Sequence, residues 1–187
     1  MIMNVFYFLN EYIKHPRTVG ALMSSSKQLA KHMIAPINFE QAKCIIEYGP
    51  GTGVFTEQLI QNKHSETVLL IIENNKQFVH TLKSKYGAIK NIHIIHGSAE
   101  YADKYVQQYK ITKVDYIVSG LPFTSLPLAT SEKILQVTRE VLGSDGKFIS
   151  FQYTRLKQRF FQSFFVNIEV EKVLWNIPPA FVFTCGE

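Results

Sequence analysis

No apolar run in the chain approaches the roughly 20 residues needed to cross a bilayer. The first residues also lack a basic region followed by an apolar block and a small-residue cleavage site. We therefore expect a cytoplasmic location. Because no segment is expected to span the membrane, any membrane association is expected to be peripheral, at the inner face. Because 46% of the 187 residues are hydrophobic, the chain can bury the core of one ordinary domain.

Cysteine is scarce, and histidine is not clustered. Cys44 and Cys185 fall on the predicted first and last strands, which are not expected to be neighbours in a sheet, so we predict no disulfide and a reducing compartment. The six histidines are scattered and show no ligand spacing. The sequence therefore predicts no metal site.

Acidic residues are outnumbered, since 20 Lys and Arg face 15 Asp and Glu and give a net charge of +5. This balance favours an anionic partner, either nucleic acid or a phospholipid surface, without choosing between them. The basic residues concentrate in two clusters, Lys14, Arg17, Lys27 and Lys31 near the start and Arg155, Lys157 and Arg159 later in the chain. A solvated face is the simpler interpretation of each cluster.

A glycine-rich turn follows the first predicted strand, where residues 45–53 read Ile-Ile-Glu-Tyr-Gly-Pro-Gly-Thr-Gly. Alternate glycines let the backbone turn tightly and let a ligand lie against the main chain. A nicotinamide-binding turn would need glycine where Val54 stands. The pattern instead resembles motif I of class I S-adenosylmethionine-dependent methyltransferases. The resemblance implies a cofactor-binding set of Glu47, Tyr48, Gly49, Gly51 and Gly53.

Strands and helices then alternate without repeats or a linker, which predicts a single α/β domain over residues 1–187. Apolar strands are predicted at 68–73, 91–96, 114–119 and 147–153, and Gly143 is predicted to end a helix between the last two. Segments 168–175 and 180–184 are predicted to close the sheet as an antiparallel pair. The expected architecture is Rossmann-like: a seven-stranded, mostly parallel sheet with an antiparallel last strand, plus an N-terminal helical cap over 1–35.

Further cofactor contacts are predicted where the second and third strands end. Glu73, followed by Asn74, stands where an acid can accept hydrogen bonds from both ribose hydroxyls. Glu47 is predicted to bond the glycine loop or the methionine ammonium group. Ser98 and Ala99 fall where methyltransferases place an acid and a small residue against the adenine, although a simple turn also explains Gly-Ser.

The segment Ser119-Gly120-Leu121-Pro122-Phe123 resembles motif IV, the Asn-Leu-Pro-Tyr loop of amino methyltransferases. In those enzymes a polar side chain and backbone carbonyls hold the acceptor nitrogen while the aromatic ring packs on the substrate. The resemblance implies a cofactor contact at Ser119 and a catalytic segment of Gly120, Leu121, Pro122 and Phe123. Glycine in the asparagine position counts against adenine as the acceptor.

Three more segments narrow the resemblance. Residues 15–22, the run Ser24-Ser25-Ser26 and residues 176–182 are similar to the bacterial phospholipid N-methyltransferase family, and the middle of the chain is also similar to ribosomal RNA adenine dimethylases. The resemblance implies stepwise methyl transfer from S-adenosylmethionine to phosphatidylethanolamine, giving phosphatidylcholine.

The N-terminus supports a membrane partner independently. Apolar residues recur there at helical spacing and predict an amphipathic helix over 2–14. Such a helix can lie in a lipid interface beside the nearby basic residues. Packing of the same apolar stripe on its own domain is the alternative.

The sequence thus predicts an enzyme that methylates the amine of a phospholipid head group. An RNA adenine or small-molecule methyltransferase on the same fold is one alternative, and an inactive, membrane-associated cofactor-binding protein is another. An ammonium acceptor must first lose a proton. Candidates for the base are Glu100, Tyr101, His15 and Tyr153.

Overall fold

The computed structural model describes residues 19–174, 176 and 178–187, whose elements alternate in α/β order. The helices of this part are α1 (Val19–Ile34), α2 (Val54–Asn62), α3 (Lys76–Tyr86), α4 (Ala102–Gln108), α5 (Leu128–Leu142) and α6 (Gln158–Gln162). A 3-10 turn, Ala99–Tyr101, precedes α4. The strands are β1 (Cys44–Tyr48), β2 (Val68–Glu73), β3 (Ile92–His96), β4 (Tyr116–Ser119), β5 (Lys147–Gln152), β6 (Asn167–Val173) and β7 (Ala180–Gly186). The predicted helix 2–14 lies outside the described residues.

The seven strands form one sheet in the order β3-β2-β1-β4-β5-β7-β6. Strands β3, β2, β1, β4 and β5 pair in parallel, and β7 runs antiparallel to both β5 and β6. The predicted mostly parallel, seven-stranded sheet is confirmed, with β7 as the reversed strand. Strands β1 to β6 therefore all end at one edge, called the carboxyl edge below. The strand order reverses beside β1, so the loops after β1 and β4 meet there.

Helices on both faces of the sheet explain why its central strands read as unbroken apolar runs. Ile45 and Ile46 are both fully buried but belong to different cores, because successive strand residues point to opposite faces. One core lies under α1 and α2 and contains Met33 and Leu59. The other core is rich in phenylalanine, with rings from Phe123, Phe148, Phe161, Phe165 and Phe183 in edge-on or stacked contact.

Element boundaries differ from the predicted ones by a few residues. Strand β4 begins at Tyr116 and β5 ends at Gln152, and β6 ends at Val173 instead of reaching position 175. The predicted end of α5 is confirmed, since Gly143 follows it with φ 61°. Cys44 and Cys185 are free and buried on β1 and β7, with β4 and β5 between them.

In the part of the chain that the structure describes, no helix is both long enough and apolar enough to cross a bilayer. The same residues contain no cluster of three or more His, Cys, Asp or Glu side chains placed to hold a metal ion.

Candidate active site

The predicted site residues converge on the carboxyl edge, because β1, β2, β3 and β4 all end there. Backbone hydrogen bonds join the loops: the Gly49 N–H donates to the Ile72 carbonyl at 3.0 Å, and the Gly120 N–H donates to the Tyr48 carbonyl at 2.8 Å. The glycine loop after β1 is thus fixed to β2 on one side and to the loop after β4 on the other. The tyrosine side chain itself points into the core, where its hydroxyl lies 3.4 Å from Thr138 Oγ1.

The glycine loop has a backbone that favours glycine at each predicted position. Gly49, Gly51 and Gly53 have φ values of 61°, 56° and 88°, all in the left-handed region. A Cβ placed on Gly51 would meet no protein atom within 4 Å. The loop therefore borders open space at Gly51, which is where a ligand can lie against the main chain.

Gly120 is a glycine for a different reason, which is close approach. A Cβ at this position would lie 2.6 Å from the carbonyl oxygen of Gly49, a distance at which one of the two backbones must shift. Leu121 packs on the other side of the contact, since a Cβ on Gly49 would lie 2.7 Å from Leu121 Cδ2. The loops after β1 and β4 are therefore in van der Waals contact, and position 120 has no room for the asparagine of motif IV.

Glu47 is fully buried at the end of β1. Its Oε2 accepts a hydrogen bond from Thr56 Oγ1 at 2.7 Å, whereas its Oε1 has no partner among the described residues. Burial raises the pKa of this carboxyl to about 8, the hydrogen bonds from Thr56 oppose the shift, and the charge of Glu73 adds to it. A buried acid with one free oxygen is suited to receive a cationic donor.

Glu73 closes the glycine loop from the β2 side. Its Oε2 accepts from the Gly51 N–H at 3.0 Å, and its Oε1 accepts from the Asn75 N–H at 2.8 Å. Each oxygen keeps a further lone pair for a ligand hydroxyl. Asn74 contributes through its backbone, since its carbonyl accepts from His96 Nε2 at 3.1 Å.

The loop after β3 is organised by its own side chains. Ser98 Oγ accepts from the Glu100 N–H at 3.3 Å and donates to Glu100 Oε2 at 2.9 Å, which is the simple turn that Gly-Ser allowed. Ala99 is buried. Tyr105 was missed by sequence analysis: its hydroxyl accepts a hydrogen bond from the Ser98 N–H and leaves no room for a Cβ on Gly97.

The aromatic residue of the motif IV segment is in the core, which corrects the sequence-based expectation. Phe123 is fully buried against Phe148 and Phe161, so its ring does not face a substrate. Ser119 is also buried, and its hydroxyl accepts from the Leu121 N–H at 3.2 Å. Both residues therefore support the loop after β4 from buried positions.

Two further polar residues that sequence analysis missed fix the site from buried positions. Thr56 holds Glu47, as described above. Gln152 ends β5, and its Nε2 donates to the Leu121 carbonyl at 3.3 Å and to Ser150 Oγ at 3.4 Å. A polar residue at or next to the end of an apolar strand, as at Glu73 and Glu47, was the signal that could have identified Gln152.

The structure narrows the list of candidate bases. Burial raises the pKa of Tyr153, with a hydrogen bond from the Asn176 side chain opposing the shift, so this phenol is protonated at neutral pH and cannot accept a proton there. Tyr101 is exposed beneath Lys104, whose Nζ lies 4.7 Å from the ring centre. Glu100 is held by Ser98, and His15 lies outside the described residues.

The solved structures that resemble this fold include methyltransferases. The fold superimposes on precorrin-6y C5,15-methyltransferase from Geobacter metallireducens with a TM-score of 0.66 at 13% identity, covering 86% of this chain and 88% of that one. A Streptococcus mutans protein in complex with SAH gives 0.63 at 17% identity, covering 86% of this chain and 97% of the other. These likenesses establish the fold.

The sheet order, the glycine loop and the acids at the carboxyl ends of β1 and β2, together with the family match, define a class I S-adenosylmethionine-dependent methyltransferase. S-adenosylmethionine is its cofactor. The chain belongs to the ribosomal RNA adenine dimethylase family, which matches residues 20–147.

Two relatives differ in how much of the chain they share. The ornithine lipid N-methyltransferase of Singulisphaera acidiphila is 28% identical over 181 residues, which are 96% of this chain and 94% of the relative. Ribosomal RNA small subunit methyltransferase A of Hydrogenobaculum sp. is 30% identical over 111 residues, which are 59% of this chain and 40% of that relative. The lipid enzyme therefore resembles this chain over nearly its whole length.

Proposed function

We propose that the protein transfers methyl groups from S-adenosylmethionine to the primary amine of a membrane-lipid head group. The observation that carries this proposal is the close approach of Gly120 to the Gly49 carbonyl. This approach leaves no room at position 120 for a side chain that would hold a planar adenine amine. An aliphatic amine needs no such planar recognition, because its nitrogen accepts and donates without regard to a ring plane.

The relatives support the same acceptor class. The relative named as an ornithine lipid N-methyltransferase matches 96% of this chain, whereas the ribosomal RNA relative matches 59% of it. Phosphatidylethanolamine, implied by the resemblance of the sequence, and ornithine lipid both present a primary amine on a lipid head group. We propose that shared chemistry as the substrate class.

We further propose how the carboxyl edge holds the cofactor. The free, buried Oε1 of Glu47 receives the methionine ammonium group, which satisfies an otherwise unpaired oxygen. Glu73 accepts hydrogen bonds from the ribose hydroxyls. The open space beside Gly51 accommodates the part of the cofactor between its ammonium group and its ribose. Ser98 and Ala99 border the adenine.

In this arrangement the cofactor supplies an electrophilic methyl group, and the protein supplies position. The loop Gly120-Leu121-Pro122 borders the acceptor nitrogen through its backbone, and Gln152 fixes that loop by its bond to the Leu121 carbonyl. Holding the two reactants in line lowers the entropic part of the barrier.

The role of Glu73 gives a direct prediction. Glu73→Ala removes a hydrogen-bonding carboxylate from the ribose and frees the Gly51 amide, so S-adenosylmethionine binding should weaken by about 1.5–3 kcal/mol, roughly 10- to 150-fold. Isothermal titration calorimetry measures the change. Glu66→Ala is the matched control, because Glu66 is exposed at the opposite edge of the sheet. Equal affinity in both variants would remove Glu73 from the site.

Methylation of adenine in RNA is the second candidate function, favoured by the family match over residues 20–147 and by the net charge of +5. A third candidate is a protein that binds the cofactor without transferring its methyl group. All three make different predictions for one transfer experiment.

The experiment supplies methyl-labelled S-adenosylmethionine with four acceptors in separate reactions. These are detergent-dispersed phosphatidylethanolamine, detergent-dispersed ornithine lipid, free ethanolamine and unmethylated small-subunit ribosomal RNA. We expect label in at least one lipid and none in the RNA, with mass spectrometry counting the methyl groups added. Label in RNA alone would establish the second candidate, and no label in any acceptor would favour the third. Glu73→Ala, purified in the same way, controls for contaminating enzymes.

A further inference from the structure

Exposed apolar side chains are not spread evenly over the described part of the chain. Six large hydrophobic residues are exposed there, and four of them follow strands that end at the carboxyl edge: Tyr101 after β3, Leu128 after β4, Leu156 after β5 and Leu174 after β6. The other two, Ile89 and Val166, precede β3 and β6 and so belong to the opposite edge. The edge that carries the cofactor loops is therefore also the more apolar edge.

Cations surround the most exposed of these four residues. Leu156 is 77% exposed in the loop after β5, and Arg155, Lys157 and Arg159 flank it. Within the described residues, these three cations form no ion pair. Instead, Arg155 donates to Gln158 at 3.0 Å, and Lys157 Nζ lies 4.5 Å from the centre of the Phe160 ring. Their charges are thus available to an outside partner.

The loop lies beside the acceptor segment. It leaves β5 directly after Gln152, the residue that holds the Leu121 carbonyl. Arg155 lies 6.0 Å from the centre of the Phe181 ring, and Phe181 pairs with both Gln152 of β5 and Lys172 of β6. Leu174, two residues after that lysine, therefore belongs to the same end of the sheet.

We propose that residues 154–159 together with Leu174 form a membrane-contact surface that seats the carboxyl edge on an anionic phospholipid bilayer. This inference rests on the proposed function and identifies how its substrate is reached. Aliphatic side chains gain free energy by entering the acyl boundary, and arginine and lysine gain it from anionic head groups. The phosphates of a nucleic acid would pair with the cations but would leave Leu156 and Leu174 exposed to water. The observations therefore favour lipid over RNA.

The test measures flotation of the full chain with vesicles of phosphatidylcholine and phosphatidylglycerol, which contain no primary amine and so exclude catalysis from the readout. The wild-type protein should bind at low salt and dissociate as salt screens the charges. Replacing Arg155, Lys157 and Arg159 with Ser should weaken partitioning by about a hundredfold, since each cation near an anionic surface contributes about a factor of five. Leu156→Ser should weaken it by about tenfold.

Matched controls exist on the opposite edge. Val166 is 78% exposed, so Val166→Ser removes an equally exposed apolar group, and the double replacement of Lys83 and Lys85 by Ser removes exposed charges at the end of α3. Neither control should change vesicle binding by more than about twofold. Binding of S-adenosylhomocysteine reports folding for every variant, and Arg159→Glu replaces any variant that fails this check.

Three outcomes overturn the surface: wild-type protein that does not float at low salt, equal losses for Leu156→Ser and Val166→Ser, or binding to a single-stranded RNA oligonucleotide without binding to vesicles. The proposed function is tested separately, because methyl transfer to detergent-dispersed lipid requires no bilayer. A protein that methylates dispersed lipid but ignores vesicles would retain the proposed function and lose this surface.

Discussion

Gly120→Ala should destabilise the protein by about 3 kcal/mol, near the upper end for a single added methyl group. The methyl group would lie 2.6 Å from the Gly49 carbonyl oxygen, and backbone on both sides of that contact is fixed by hydrogen bonds to the sheet. Relief requires the two loops to separate, which displaces the glycine loop. We therefore also expect S-adenosylmethionine affinity to fall at least tenfold, or about 1.4 kcal/mol. Denaturant unfolding and calorimetry measure the two effects.

Two glycine variants separate this steric effect from other consequences of adding a methyl group. Gly186→Ala adds a methyl group on β7 at ordinary contact distance and should change neither property. Gly51→Ala meets open space but has φ 56°, so its stability cost should be limited to backbone strain of about 1 kcal/mol. If Gly120→Ala behaves like Gly186→Ala, the two loops are not in contact as the structure has them.

Local sequence patterns predicted most of the fold, because each pattern depends on neighbours in the chain. The glycine loop was identifiable since left-handed backbone at Gly49, Gly51 and Gly53 leaves few alternatives to glycine. The strand rhythm was identifiable because strands covered on both faces must be apolar throughout. Constraints of this kind act on residues that are adjacent in the sequence, so the sequence alone reveals them.

Contacts between distant segments were not predictable in this way. Nothing local to Phe123 distinguishes a ring on a substrate from a ring in the core, and its partners Phe148 and Phe161 are more than twenty residues away. Gln152 reaches Leu121 only because β5 lies beside β4. The absence of asparagine at position 120 was visible in the sequence, but its cause, the Gly49 carbonyl, required the fold.

The position of the family match bears on acceptor choice. It ends at residue 147, the first residue of β5, so it includes the cofactor loops and the motif IV segment but not the loop after β5. The relative named as a lipid N-methyltransferase extends across that loop as well. Leu156 and the neighbouring Arg155, Lys157 and Arg159 thus lie outside the segment that the family model matches. Sequence differences between lipid and RNA methyltransferases are expected in this part of the chain.

Glu47 should make both stability and cofactor affinity depend on pH, because burial raises its pKa to about 8 in the folded protein. The unfolded chain titrates with the ordinary glutamate pKa near 4.3. Between these values the folded state keeps a proton that the unfolded state has lost. The free energy of unfolding should therefore fall as pH rises from about 4.5 to 8, by up to about 1.4 kcal/mol per pH unit, and then level off.

Glu47→Gln removes the titrating group while keeping the size of the side chain, so its unfolding free energy should lack this contribution to the slope. Denaturant unfolding at pH 5, 6, 7 and 8 makes the comparison.

Cofactor binding should also depend on the protonation of Glu47. If the ammonium group of the cofactor pairs with the ionised carboxylate, the wild-type protein must release a proton on binding at pH 7. Calorimetry in two buffers of different ionisation enthalpy detects that proton, and Glu47→Gln should release none. Equal proton release by the two proteins would mean that the ammonium group binds elsewhere.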